Sequence, residues 1–382
     1  MRIHDPIDAS VPRADFVLRK GSVLCYRMFD VADEIDLEHA RRLISSQTKR
    51  LKLGREGSQY LELPEPPLTL ELGTRALALR DGSSLAIQAS LRLFNFGAAS
   101  IVLRAPIVPG TSMVGLTPRA DELYDSEQVD ALCLELCQGV LKTVAPALQD
   151  AHLWEQFESY TIVFVEAIDG APTAEQLLME APLAKLLLGE VQAPQLSERE
   201  RREVTQHAFS YTENDLAVVD WNAAFVYEPS GSADVADILE IVNAQLLELR
   251  WFDAQLDQEL KVTYDEIGQR RRKWWRFLRS PYRQLARRVM ATVVEMTEFV
   301  ERVENSLKIV GDFYLAKIYE ASLKRLRINA WQASVQRKQQ LLAHVYELLK
   351  GEVDTDRALT LEAMIVVLIV VELAIAAIQA IY

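Results

Sequence analysis

The sequence predicts an α+β protein: an N-terminal domain mixing sheet and helix, then a long antiparallel helical hairpin or coiled coil, leading into a single C-terminal transmembrane helix. Three observations carry this. Alternating and short wholly apolar runs punctuate residues 22–227, with helical stretches between them. Beyond Pro229-Ser230-Gly231 glycine and proline almost vanish, and apolar residues recur in alternating steps of four and three. Finally, Leu359 to Ile381 is nearly continuous in apolar residues. The boundaries follow as 1–230, 231–357 and 358–382.

Taken in order, Gly21 to Phe29 reads as a strand, and Asp36 to Leu51 as a helix opened by an acidic cap. A turn rich in proline follows at Pro64, Pro66 and Pro67. Leu85 to Val108 alternates apolar and polar residues around Asn95 and Gly97, which predicts a hairpin at the heart of a sheet. Ser126 to Gln149 is helical in pattern, and Tyr160 to Ile168 is apolar enough for a central strand. Ser197 to Val204 reads as a charged helix. Gln206 to Tyr211, Leu216 to Val219 and Ala223 to Tyr227 form a meander turning at Glu213-Asn214-Asp215.

The helical part has two seams. Val235, Leu239, Val242, Leu246, Leu249, Asp253, Leu256 and Leu260 make the first, with one acidic intruder. Val289, Val293, Met296, Val300, Val303, Leu307 and Val310 make the second. Ser280-Pro281 between them is an N-cap with proline at the first helical position, so the pair forms a hairpin tipped near Arg279. Past Gly311-Asp312 the seam changes phase to Leu315, Ile318, Tyr319, Leu326 and Val335. Two readings stand: a reversal, with glycine closing one helix and aspartate capping the next, or a continuous helix with a stutter. A reversal would bring Lys350 back beside the hairpin tip.

By length and composition the last stretch reads as one membrane span, with a buried helix of a soluble core as the plain alternative. Its 23 residues make a helix about 34 Å long, enough for a hydrocarbon core of about 30 Å. Thirteen Leu, Ile and Val residues contribute roughly −4 to −8 kcal/mol to insertion, against about +3 for the central Glu372. Ile365, Leu368, Glu372 and Ile375 are the anchor residues singled out. A carboxylate at that depth faces a partner helix, a proton path or a pore, or else is held neutral by a local acceptor.

The net charge of −13 is unevenly spread. Ten basic residues stand between Lys261 and Met290 against Asp265 and Glu266, an island of about +8 on a remainder of about −21. Within it Arg271, Lys273, Trp274, Trp275, Arg276 and Arg279 suit an anionic membrane surface, since indoles settle at headgroup depth and each cation adds about 1 kcal/mol. The same residues suit RNA through phosphate contacts and stacking. The plain alternative is a solvated tip whose tryptophans pack internally.

The residues offer no catalytic constellation, metal site or cofactor motif. Gly110 and Gly115 have phosphate-loop spacing, but Leu116 stands where the lysine is needed. Cys133 and Cys137 are four apart on one helical face without a second pair, which fits small buried hydrophobes better than half a metal site. Three cysteines fit a reducing compartment. The start, MRIHDPIDASVPRADF, has no basic segment followed by an apolar one, so no signal peptide is expected.

Glu304-Asn305-Ser306-Leu307-Lys308 through Gly311-Asp312-Phe313-Tyr314 to Tyr319, with Leu361-Glu362 through Glu372, resembles the required-for-meiotic-nuclear-division family. Glu213-Asn214-Asp215 to Trp221-Asn222 and Phe94-Asn95-Phe96-Gly97 are similar to parts of its N-terminal half. The resemblance runs from about Leu85 to the end and carries no catalytic signature. It implies a soluble domain with a C-terminal membrane anchor; the mitochondrial members face the matrix from the inner membrane, form oligomers and support organellar translation. With no transit peptide evident, a member in a bacterial-type inner (cytoplasmic) membrane is expected. Lys350 and Arg357 on the N-terminal side of the span put the body in the cytoplasm.

The function expected is that of a non-enzymatic, oligomeric scaffold or tether, with no small-molecule substrate identified. Its basic tip would meet anionic lipid or the ribosome. An enzyme housed in the first domain, or an accessory subunit of a membrane pore, are the other readings.

Overall fold

Fourteen residues from Val17 to Asp30 form β1, the strand on which the first half of the chain is assembled. All residues from Ser22 to Asp30 are buried, as a strand covered on both faces must be. The computed structural model describes residues 15–47, 52–53, 61–62, 65–124, 126–189, 196–270, 283–304, 308–309 and 312–381. After β1 come β2 (Glu34–Ile35), α1 (Leu37–Gln47), β3 (Lys52–Leu53), β4 (Leu61–Glu62), β5 (Leu68–Ala78), β6 (Ser84–Leu93), β7 (Ala98–Pro106) and β8 (Thr111–Ser112). Helices α2 (Met113–Tyr124) and α3 (Glu127–Val144) lead to β9 (Leu148–Gln149) and β10 (Phe157–Ile168). Then follow α4 (Ala174–Glu180), α5 (Leu183–Leu188), α6 (Glu198–Val204), β11 (Ala208–Phe209), β12 (Leu216–Val219) and β13 (Ala223–Tyr227). The chain closes with α7 (Asp234–Arg270), α8 (Arg283–Glu304), β14 (Lys308–Ile309), α9 (Phe313–Arg325) and α10 (Ile328–Ile381).

Ten strands make one sheet in the order β11-β12-β13-β10-β1-β7-β6-β5-β3, with β8 on the end of β1. All its pairings are antiparallel except β10 with β13, so the sheet is mixed, as the α+β reading requires. The hairpin of β6 and β7 turns at Phe94–Gly97. Gly97 holds φ +105°, and a Cβ there would lie 1.9 Å from the Ala32 carbonyl oxygen, so only glycine fits.

The odd-numbered residues of β1, Val23, Cys25 and Phe29, join a core with α1, α2, α3 and α5 on one face of the sheet. Arg27 lies on that face too, 1% exposed, and donates to Asp130 Oδ1 (2.5 Å) and to the Tyr26 and Tyr124 carbonyls. The opposite face is crossed by the start of α7. Arg92 on β6 reaches Asp237 and Glu240 there. Residues 235–249 are buried on every side of the helix rather than along one stripe, as expected of a helix inside a core.

The chain divides into two compact units, Met1–Glu248 with Val303–Asn329, and Leu249–Arg302 with Ala330–Tyr382. The first fifteen residues of α7 and the whole of α9 thus belong with the sheet, although their periodicity groups them with the later helices. Asp312 caps α9, accepting from the amides of Tyr314 and Leu315, and Leu315, Ile318 and Leu326 are buried.

The second seam is shorter than its spacing predicts. Val289 is buried, but α8 ends at Glu304 and Lys308–Ile309 pairs with Leu61–Glu62 as a two-stranded ladder. A helix continuing to Val310, and hence the stuttered rod, is excluded. Gly311 itself, Ser280-Pro281 and residues 48–51 lie outside the described residues. The glycines at 110 and 115 make no phosphate loop, because Gly115 is inside α2.

His152 fastens the loop before β10 to β1. Its Nε2 is 2.9 Å from Asp30 Oδ1 and its Nδ1 2.9 Å from the Asp150 carbonyl. Burial works against the imidazolium, but the hydrogen bond and charge of Asp30 outweigh it, so its pKa lies above the ordinary value. A histidine whose folded pKa is raised contributes stability that is complete below its unfolded pKa of about 6.5 and is lost as pH rises through the folded one. Burial raises the Asp30 carboxyl, which acts in the same direction. Melting temperature should therefore fall on the alkaline side of pH 6.5, and His152→Gln should flatten that slope; an unchanged slope would detach it from this residue.

Candidate functional site: the C-terminal helix and two polar cavities

α10 runs 54 residues without interruption. Its packed side reads Val335, Leu342, Val345, Leu349 and Val353, all buried, and there the packing stops. From Leu359 to Ile375 every large apolar side chain is exposed. This is the one helix among the described residues long and apolar enough to cross a membrane. Ile365, Leu368, Glu372 and Ile375 are all exposed on it. Their spacing of three, four and three residues puts them on a single face.

Within the second unit the register of the helices is fixed by polar pairs. The Arg250 guanidinium lies over the Trp331 ring, Ser334 donates to Asp253, and Lys338 reaches Asp257, each pair separated by 81 residues. A constant offset means that α7 and α10 run parallel. Arg288 of α8 bonds both Glu259 and Glu266, and Gln339 bonds Thr297, so α8 is antiparallel to both. The chain therefore reverses between α8 and α10, the first of the two alternatives left by the sequence. By the same offset Arg270, the last residue of α7, stands level with Gly351, eight residues or about 12 Å short of Leu359. Arg271, Lys273, Trp274, Trp275, Arg276 and Arg279 lie outside the described residues; the helix ends that bracket them belong to the end of the unit from which the apolar part of α10 departs.

The acidic intruder of the first seam is explained by Lys338, whose Nζ is 2.9 Å from Asp253 Oδ1 and 2.6 Å from Asp257 Oδ1. Burial disfavours the ammonium, yet the bonds to Asp257 and Asp253 leave its pKa raised.

The first unit holds two polar cavities. One, of about 390 Å³, is lined by Tyr211, Asp215, Glu228, Asp234, Asp312 and Tyr314 among others. It joins two of the stretches that carry the family resemblance. Asp215 accepts from the amides of Tyr211 and Thr212, and the Tyr211 and Tyr314 rings lie 5.6 Å apart. Burial, then the charge of Asp215, raises the Tyr314 phenol. The other cavity, of about 200 Å³, lies between the sheet and the start of α7. Arg92 Nη1 is 2.6 Å from both Asp237 Oδ1 and Glu240 Oε2. Burial pushes both carboxyls up despite Arg92, while Glu240 first and Asp237 next raise Arg92.

Cys25, Cys133 and Cys137 are buried in the core. Burial pushes the thiols of Cys25 and Cys137 up to about 12, far from a reactive thiolate. Among the described residues no three His, Cys, Asp or Glu side chains are grouped to hold a metal ion. Sequence reasoning missed both cavities.

These features define an α+β protein with a ten-stranded mixed sheet and one apolar C-terminal helix of membrane-crossing length. Residues 20–234 match the family model described as "Uncharacterized protein MJ0711, N-terminal domain", more than half of the chain, and the chain belongs to that family. The matched stretch runs from within β1 to the first residue of α7, so it contains the large sheet except for Val17, Leu18 and Arg19 of β1. The uncharacterized protein MJ0711 of Methanocaldococcus jannaschii is 24% identical over 221 residues, covering 57% of this chain and 66% of that protein, just under two thirds of its length. No solved structure matches.

Replacing Asp253 by alanine should lower stability by about 1–3 kcal/mol, since it removes one of two partners of a mostly buried ammonium. Asp253→Leu combined with Lys338→Leu should recover most of it by completing an apolar seam. Thermal melting in mild detergent measures both; a double variant no better than the single one would count against the pair as the cause.

Proposed function

We propose that this protein is a tail-anchored membrane protein, its body on the cytoplasmic side of a bacterial-type inner membrane, serving as a non-enzymatic, oligomeric scaffold or tether. The observation that carries the reading is the run of exposed apolar side chains from Leu359 to Ile375. In water such a surface is costly, at about 25 cal/mol per Å², and hydrocarbon removes the cost. Lys350 and Arg357, both exposed just before the span, favour a cytoplasmic body. The resemblance to the required-for-meiotic-nuclear-division family supports the same organisation, and through it a link to the translation machinery.

The hairpin geometry favours lipid over RNA for the basic segment. Helices α7 and α8 end about 12 Å short of the span along α10, so a membrane holding Leu359 brings its headgroups close to that end. Anionic lipid is the contact we assign to Arg271, Lys273, Trp274, Trp275, Arg276 and Arg279.

Two measurements test the anchor. Full-length protein should remain in the membrane pellet after alkaline carbonate, and release would remove the anchor together with the orientation argument. Glu372→Leu should leave insertion intact and reduce oligomer size in detergent, because a carboxylate in hydrocarbon finds its partner on a neighbouring helix. Unchanged oligomer size would mean that the carboxylate is satisfied within its own helix.

A further inference from the structure

The smaller cavity of the first unit has a floor of strand residues. Register sets Tyr26, Val102, Ser90 and Glu71 in one row across β1, β7, β6 and β5, and Leu24, Arg104 and Gln88 in the next. Ala233 and Ala236, just ahead of and within the first turn of α7, bound the space from the side and are too small to fill it.

Most of the charges round this cavity already have partners. Arg92 is bonded to Asp237 and Glu240 at once, and Glu240 is enclosed with the Ser100 hydroxyl beside it. Glu71 is exposed, two strands or about 10 Å from β7, where water screens its charge. Two groups are left. The Arg104 guanidinium, half-buried in the lining, makes no hydrogen bond or ion pair among the described residues. Tyr26 is 4% exposed, and its hydroxyl makes no hydrogen bond among them. That hydroxyl is not shut in by protein atoms, so it opens on the cavity that Tyr26 lines. Burial, then the charge of Glu240, holds the phenol well above its ordinary pKa, so it stays a neutral donor.

Buried polar groups are ordinarily satisfied, and both of the unmet ones here donate. Their complement is an anion, and its charge is limited to one. Asp237, Glu240 and Glu71 line the same cavity, and a second negative charge would meet them with no second unpaired cation in the lining. A carboxylate fits best, because its two coplanar oxygens match the fork of a guanidinium and still have a lone pair for the phenol. Leu24, Val102 and Ala236 give the lining an apolar part, which suits a hydrocarbon body. That body is short: the volume is about 200 Å³, below the roughly 300 Å³ at which pockets for drug-sized ligands begin.

We propose that this cavity binds a short-chain monocarboxylic acid in its ionised form, its carboxylate held by Arg104 and the Tyr26 hydroxyl and its hydrocarbon end against Leu24, Val102 and Ala236. The Arg92–Asp237–Glu240 cluster fixes the wall of the site and takes no part in binding. This reading stands apart from the membrane anchor and survives or fails independently of it.

The test titrates full-length protein in non-ionic detergent micelles with propionate, butyrate, valerate and hexanoate, and for comparison with butyramide, succinate and inorganic phosphate. At least one monocarboxylate should raise the melting temperature and bind in calorimetry at millimolar concentration or below. Its amide, which keeps the shape without the charge, should bind at least about tenfold more weakly. Arg104→Met should weaken the acid at least about tenfold as well, with a smaller loss for Tyr26→Phe. Circular dichroism without ligand checks that both variants fold. Ala233→Leu, at an exposed position on the wall, touches neither donor and should weaken binding by narrowing the space; it locates the site if Arg104→Met misfolds. The proposal is overturned if no monocarboxylate binds at millimolar concentration, if butyramide, succinate or phosphate binds as tightly, or if a folded Arg104→Met or Ala233→Leu variant binds undiminished. An Arg104 that served only to offset the carboxylates of α7 would give the first of these outcomes.

Discussion

The first unit depends on how the start of α7 is held to the sheet, and one guanidinium ties the helix to the strand beneath it. Arg92 projects from β6 between two carboxylates one helical turn apart, Asp237 and Glu240, with both contacts at 2.6 Å. Three charges this deeply buried are stable only together: any one removed leaves the others uncompensated in a poor solvent. The cluster therefore fixes the rotation and height of the helix on the sheet more sharply than apolar packing would, because sliding by one residue breaks the pairs. Its worth is specificity of position more than net stability.

The parts of the fold that were legible in the sequence are those where burial is extreme. β1, the β6–β7 hairpin and β10 are apolar on one or both faces and announce themselves as strands. Asp36 and Asp312 announce helix starts because a carboxylate accepting from a free amide leaves a recognisable local pattern, and the structure has both bonds. Helix α2 was hidden by Gly115 and Pro118 in its interior, where a short amphipathic pattern could not outweigh two helix breakers. Strand β5 was obscured by the bulge at Gly73, which shifts its alternation by one residue.

The cavities were illegible for another reason. Tyr26, Arg104 and Glu240 are separated by scores of residues and line one cavity only because strands distant in sequence are neighbours in the sheet and α7 crosses them. Their one local sign is a contradiction of pattern. Arg92 and Arg104 are the charged residues of β6 and β7, and Asp237 and Glu240 interrupt the first turns of a helix that is buried all round. Charges at positions where the period calls for apolar residues point to a buried pair, and Arg92 with Asp237 and Glu240 is that pair.

The unbroken length of α10 has a mechanical corollary. No proline, bulge or turn separates Val353, the last residue packed in the bundle, from Glu372. At about 100° of rotation per residue, the azimuth of the carboxylate about the helix axis is set by the packing of Val335 to Val353, as the teeth at one end of a key are set by the grip at the other. One residue inserted between them would swing Glu372 by nearly a third of a circle while leaving the span equally apolar. Hydrophobicity alone can hold such a protein in a membrane, but this helix also transmits torsional phase.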